Sequence, residues 1–285
     1  MAGPTMEGKV ALVTGGTSGI GKAAATALAA MGADVVVVGR NPERGEEAVE
    51  EIRRQTGARV DLALYDLGVQ AEVRVLAGEF RRRYDRLDVL VNNAGLVQSE
   101  RTETVDGIET TLAINHLAPF VLTNLLLDVL KQSAPSRVVT VSSEAQRWAN
   151  DLDDLQSREN YRGMPVYGMT KLANVMFTYE LAERLSGTGV TATCMHPGGV
   201  NTRFGENNRG FGALMFRLFK PFMRTPEQGA DTLIWLASSP EVEGMTGRYY
   251  ADRKPIEPKK IANDLGACRG LWEESERLTG LGVPA

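Results

Sequence analysis

The chain has 285 residues, of which 43% are apolar and 24% charged, and 36 acidic against 32 basic side chains leave a formal net charge of −4. That apolar content can fill a core and excludes intrinsic disorder, and the slight acidic excess argues against a nucleic-acid binder. No uninterrupted apolar run reaches the roughly 18 residues of an ordinary membrane-spanning helix, and the opening MAGPTMEGK has no apolar secretory stretch, so a soluble cytoplasmic protein is expected.

Residues 9–13 read as a short buried strand and 20–31 as an alanine-rich helix stopped by Gly32. Segment 34–38, with its run of valines, reads as a buried parallel strand. Residues 42–55 form a charged helix with Pro42 in its first turn. Segments 59–65, 87–91, 137–142 and 190–195 look like further strands, and 69–84, 106–131 and 166–185 like helices between and after them. Beyond Pro197 the pattern loosens: 204–224 is rich in Gly, Asn and Phe, 226–237 returns to helix, and 247–250 reads as a last strand. Such alternation implies βαβ units with right-handed crossovers: an α/β fold with a doubly wound parallel sheet and helices on both faces. No linker divides the chain, so one domain over residues 1–285 is expected. The two cysteines, Cys194 and Cys268, offer neither a disulfide framework nor a metal-ligand spacing.

The first strand runs into Thr14-Gly15-Gly16-Thr17-Ser18-Gly19-Ile20-Gly21 and then a helix. Glycines allow a tight turn and close backbone approach, and a helix N-terminus offers free N–H groups to a pyrophosphate. The spacing departs from G-x-G-x-x-G, and a glycine-rich turn alone is weak evidence; its place between strand and helix raises its weight. After the second strand, where a carboxylate would bind the ribose 2′-hydroxyl of NAD, the sequence reads Gly39-Arg40-Asn41. Arg40 can pair with a 2′-phosphate instead, which favours NADP(H); the plain alternative is a solvated loop arginine.

Tyr167 and Lys171 are spaced i, i+4, which puts both on one face of a helix. A tyrosine titrating near pH ~10 needs a neighbouring positive charge to serve as an acid or base near neutrality. Ser142-Ser143 follow the 137–142 strand, and Asn92-Asn93-Ala94-Gly95 close the 87–91 strand, both at the carboxyl edge where open α/β sheets bind ligands. Singly, each reads better as a turn or a helix cap.

Together these motifs resemble the short-chain dehydrogenases/reductases. TGGTSGIG from Thr14, NNAG from Asn92, Asn115 in AINHLAPF, Ser142-Ser143, YGMTK from Tyr167 and HPGGVNT from His196 stand in that family's order. The segments from Asn115 to Ser143 and from Lys171 to Val200, and the tail around Trp272, look like its retinol dehydrogenase-like branch. The resemblance implies a Rossmann-type fold and NADP(H)-dependent interconversion of an apolar alcohol and its aldehyde or ketone. It implies Tyr167 as general acid/base, Lys171 as ribose ligand that lowers the tyrosine pKa, and Ser143, the second of its pair, as holder of the substrate oxygen. Asn115 would anchor a water linking Lys171 to solvent. Gly15, Thr17, Ser18, Gly19, Ile20 and Gly21 would cradle phosphate, Arg40 the 2′-phosphate, and Asp66 and Leu67 the adenine. Asn92, Ala94 and Gly95 would line the cleft, and Pro197, Gly198, Val200 and Thr202 the nicotinamide. His116 is read as structural. Family members commonly form dimers or tetramers, and a homo-oligomer is compatible with the sequence.

Segment 210–223, rich in Phe, Met and Leu, suits a lid over an apolar substrate within 204–224. Core or oligomer packing is the alternative. Arg217, Lys220 and Arg224 give it a basic face, though membrane contact is not expected. The polar stretch 151–161 would flank the entrance. Against the oxidoreductase stand a catalytically silent NADP(H)-sensing protein and a reductase of a steroid-like or biosynthetic intermediate.

Overall fold

A computed structural model describes residues 5–149, 152–200 and 223–282. The strands are β1 (Val10–Thr14), β2 (Asp34–Gly39), β3 (Val60–Leu64), β4 (Val89–Asn92), β5 (Ser136–Val141), β6 (Val190–Met195), β7 (Arg248–Ala251) and β8 (Lys254–Pro255). They form one sheet in the order β3-β2-β1-β4-β5-β6-β7-β8. Neighbours run parallel except β7 and β8, which form an antiparallel hairpin at the edge. The helices are α1 (Gly19–Ala30), α2 (Pro42–Thr56), α3 (Gln70–Arg83), α4 (Thr110–Gln132), α5 (Gly163–Arg184), α6 (Pro226–Ser238) and α7 (Leu265–Thr279).

Alternation along the strands builds two cores. Leu12, Val36, Val38, Leu90 and Val138 face α3, α4 and α5. Ala11, Val13, Val35, Val37, Val91 and Val139 face α1, α2 and α6. A parallel strand covered on both sides has no polar face, which is why its sequence is a nearly unbroken run of valine. Each buried valine contributes roughly 1.5–3 kcal/mol, so the central strands are the most costly place to introduce a polar residue. Helix ends are set locally. Asn41 accepts the Arg44 N–H at 2.8 Å before α2, and Gly57 ends it with φ +70. Thr225 and Gln228 exchange the reciprocal bonds of a capping box before α6.

Three features differ from the sequence expectation. Helix α4 starts at Thr110 rather than 106, because Glu103 and Glu109 form a β-bridge and the Glu109 carboxylate caps the Thr111 and Leu112 N–H groups. By length and composition α4 could cross a membrane, but 78% of its most apolar window is buried, as in a core helix. The tail folds into α7, whose Trp272 packs on Phe120 and Phe177 and lies under the Arg184 guanidinium, 4.2 Å from the ring centroid.

Candidate active site

The candidate residues converge on the carboxyl edge of the sheet, just past the ends of β1, β2, β4, β5 and β6. Gly15 and Gly19 hold positive φ, +65 and +55, which turn the chain from β1 into α1. Gly21 is required by closeness: a Cβ there would lie 2.4 Å from both Asn93 Nδ2 and the Gly15 carbonyl oxygen. Ser18 stands exposed at the N-cap of α1 without a capping bond, and no acid lies in the first turn. The first N–H groups of α1 therefore face an anion-accepting turn, with Thr17 and Ile20 beside it. The Thr17 methyl packs on Gly39, where a Cβ would come within 2.5 Å.

Asn93, absent from the sequence-derived set, fixes this turn. Its Nδ2 donates to the carbonyls of Thr14 (2.9 Å) and Gly15 (3.3 Å). Thr14 Oγ1 accepts the N–H groups of Asn93 and Ala94 in return, at 3.0 and 3.1 Å. Its signal was the second Asn of NNAG, placed on the strand adjacent to β1. Asn92, expected to line the cleft, is buried, and its Nδ2 donates to Thr123 Oγ1 on α4 at 3.0 Å.

Arg40 follows β2, is 66% exposed, and stands 3.9 Å from Asp66 Oδ2. The structure thus brings the expected 2′-phosphate and adenine residues together. Asp66 Oδ1 accepts the Gly68 N–H at 2.8 Å, while Leu67 packs partly on the core. Asp34, at the far end of β2, pairs with Arg59 instead (3.6 Å).

Tyr167 and Lys171 lie on α5, both buried. Ser143 caps the 3-10 turn Glu144–Trp148, which packs so closely on α5 that a Cβ on Gly168 would reach within 2.4 Å of the Ala145 carbonyl. That contact brings Ser143 into a hydrogen bond with the Tyr167 hydroxyl. Ser142 is spent elsewhere: its hydroxyl donates to the Lys171 carbonyl at 2.7 Å. The Lys171 ammonium lies 5.6 Å from the Tyr167 ring centroid and donates to the Val141 carbonyl at 2.9 Å. Burial pushes the Tyr167 phenol up to about 12 against the opposing bond from Ser143, and pushes Lys171 down to about 8. In the protein alone, desolvation therefore outweighs any lowering of the tyrosine by the lysine.

Asn115 sits in a π-helical turn, Ala113–Leu117, inside α4. Its side chain accepts the Leu96 N–H (2.8 Å) and donates to the Leu96 carbonyl (2.9 Å) and Thr170 Oγ1 (3.0 Å). Gly95 fits between the groups: a Cβ there would lie 3.3 Å from both Asn115 Oδ1 and Lys171 Nζ. Ala94 and Gly95 so bridge the glycine turn and the Tyr–Lys pair. After β6, His196 Nδ1 accepts the Gly198 N–H at 3.2 Å, and its Nε2 lies 3.3 Å from Glu144. Val200 packs on Gly229 of α6, whose Cβ position also lies 3.4 Å from Ile20. This places Val200 beside Ile20 of α1, with Pro197 and Gly198 in the turn before it. Thr202, the lid segment 204–222, Arg217 and Lys220 fall outside the described residues. Arg224, expected on the basic face of this segment, is paired with Asp252 (2.6 Å).

A cavity of about 840 Å³ lies at the opposite, amino-terminal edge, lined among others by Lys9, Asp88, Arg137 and Glu243. Among the described residues, none of the motif residues lines it, so volume alone does not mark the site.

The chemistry of this edge fits a nicotinamide dinucleotide: the N-terminus of α1 carries no side-chain cap and no first-turn acid, so its N–H groups can take a phosphate, and the exposed Arg40 guanidinium follows β2. The model of the short chain dehydrogenase family matches residues 9–210. Human retinol dehydrogenase 14 is 42% identical over 97% of this chain and 88% of its own length. A candidate daunorubicin C-13 ketoreductase, DnrU, of Streptomyces sp. (strain C5) is also 42% identical, over 96% of this chain and 94% of its own. A short chain dehydrogenase from Burkholderia cenocepacia J2315, solved with NADP, superposes with TM-score 0.69 at 29% identity, covering 86% of this chain and 96% of that one. The chain belongs to the short-chain dehydrogenase/reductase family of oxidoreductases and resembles its retinol dehydrogenase-like branch.

Proposed function

We propose that this protein is a cytoplasmic, single-domain NADP(H)-dependent oxidoreductase interconverting an apolar alcohol and its aldehyde or ketone. The observation that carries the reading is the buried Tyr167 hydroxyl bonded to Ser143, with the Lys171 ammonium over its ring, beside the glycine turn. NADP(H), when bound, supplies or accepts the hydride. Tyr167 gives its proton to the carbonyl oxygen in reduction and takes the hydroxyl proton in oxidation. Ser143 donates to that oxygen as charge develops on it. Lys171 binds the nicotinamide ribose and favours the phenolate, and Asn115 holds the Leu96 backbone and the water path toward Lys171. Arg40 meets the 2′-phosphate with its exposed guanidinium. The NADP-bound structural relative supports the choice of cofactor, and the names of the retinol dehydrogenase and ketoreductase relatives support an apolar alcohol or carbonyl substrate.

The test is NADPH consumption by purified protein with a panel of apolar aldehydes and ketones including retinal, with NADH and Tyr167→Phe in parallel. Turnover with NADPH that is weak with NADH and lost in the variant is expected. Tight NADPH binding without turnover would leave a substrate outside the panel or a nucleotide sensor, and turnover retained in Tyr167→Phe would refute the assigned acid/base.

A further inference from the structure

The turn that follows β6 is gripped from outside the site. Arg224 lies just before α6 and closes on residues 197–200. Its N–H donates to the Gly199 carbonyl at 2.9 Å, and a parallel bridge pairs it with Val200. Its Nη1 lies 3.4 Å from the Pro197 carbonyl, and its guanidinium covers Gly198, where a Cβ would come within 3.2 Å of Cζ. Gly198 has φ +74, so the turn it makes depends on glycine both for its backbone and for this cover.

Asp252 fixes the guanidinium through two parallel bonds, 2.6 and 3.1 Å. That pairing holds the Asp252 carboxyl below its ordinary value. Asp252 and Arg253 are the two-residue loop of the β7–β8 hairpin, and both have positive φ, 49 and 57. A two-residue loop of this shape favours Asn-Gly or Asp-Gly, because a Cβ in the left-handed region is strained. Here an arginine occupies the glycine position, and each side chain is tied down. Asp252 holds Arg224; Arg253 forks onto Asp231 of α6, and its N–H donates to Thr232 Oγ1 at 3.1 Å. The strained loop thus aims one ion pair at the Pro197–Val200 turn and braces itself on α6 with the other.

We propose that the β7–β8 loop is a clamp: Asp252, acting through Arg224, is a positioning residue that sets the Pro197–Val200 turn for the nicotinamide end of the cofactor. This rests on the NADP(H) reading above. The clamp touches only the nicotinamide side, whereas Arg40 and Asp66 lie on the adenine side, and the test uses that separation.

The double variant Asp252→Asn, Arg253→Gly gives the loop its preferred sequence while removing the carboxylate. Dissociation constants for NADPH and for 2′,5′-ADP, which reaches only the adenine side, are measured by fluorescence and calorimetry, with Tm alongside. The expected result is NADPH affinity weakened about tenfold, the scale of one charge-assisted bond. Tm should be unchanged or higher, 2′,5′-ADP affinity unaltered, and Asp252→Glu should retain most of the NADPH affinity. Unchanged NADPH affinity in the double variant, or equal loss of NADPH and 2′,5′-ADP, would overturn the clamp. A wild-type protein that binds neither molecule would overturn the cofactor reading and the clamp with it.

Discussion

Acid should unfold this protein through His116. The imidazole is fully buried in the π turn next to Asn115, with Nδ1 3.3 Å from Asn174 Oδ1 and Nε2 2.9 Å from Ser275 Oγ. Burial pushes it from 6.5 down to about 4. The unfolded chain binds the proton near pH 6.5 and the native chain only near 4, so between these values the unfolded state holds more protons. Stability from this group is complete above the unfolded value and is lost as pH falls toward 4. The difference of 6.5 − 4, or 2.5 units, corresponds to about 3 kcal/mol. That is a large share of the roughly 5–15 kcal/mol that holds a domain together. Buried carboxylates such as Asp88 lose stability with the same sign at lower pH, so the control is His116→Gln. Urea unfolding at intervals across this range should give a wild-type slope steeper than the variant's by a total of about 3 kcal/mol. Equal slopes, or an NMR titration of His116 near its ordinary value, would refute the argument. Because His116 bridges α4, α5 and α7, its protonation also loosens the turn that carries Asn115.

Arg40→Asp should weaken NADPH about 10- to 100-fold and leave NADH equal or better, read as dissociation constants for both. Gly21→Ala forces a methyl against Asn93 and the Gly15 carbonyl; it should cost roughly 1–3 kcal/mol in urea unfolding and weaken NADPH binding in parallel. The two serines should separate. Ser143→Ala should cut kcat by about 10²–10³, on the scale of a lost oxyanion donor, and cost about 0.5–2 kcal/mol in unfolding for the lost cap on the Ala145 N–H. Ser142→Ala, which loses the bond to the Lys171 carbonyl and the interaction with Tyr249, should cost about 1–2 kcal/mol in unfolding and far less in kcat.

The sequence made the sheet legible because its signals are local. The valine run of β2, the glycine turn after β1 and the cap-and-proline start of α2 each carry their own physics, and the strand and helix positions agree within a few residues. What stayed hidden depends on partners distant in the chain. Whether Asn92 or Asn93 reaches the glycine turn follows from strand alternation at β4, one position apart. The π turn at Asn115 has no sequence signature, and the early start expected for α4 fails because Glu109 caps it in place. Helix α7 was legible in principle: Asp264 caps it, Gly280 ends it with φ +64, and Leu271, Trp272 and Ser275 form its buried stripe. The Arg224–Asp252 pair joins positions 28 residues apart through a hairpin turn that no local pattern announces.

On the proposed assignment, the ionisation of the Tyr–Lys pair sets the pH dependence of each direction. With Tyr167 at about 12 and Lys171 at about 8, both are mainly protonated at neutrality. Carbonyl reduction needs the phenolic proton, which is then present; alcohol oxidation needs it removed. Moving a phenol from about 12 to neutrality takes on the order of 6–7 kcal/mol of preference for phenolate. One positive charge about 4 Å away supplies about 1 to 4 kcal/mol between water and a protein-like dielectric, so the shift remains incomplete with a single neighbour. Oxidative kcat should therefore climb steeply from about pH 7 to about pH 9, while reductive kcat stays level until Lys171 begins to lose its proton near 8. Rates in both directions on one alcohol–carbonyl pair decide it. Oxidation that is flat across this range would mean that Tyr167 is already phenolate at neutrality, and that burial is not what governs its proton.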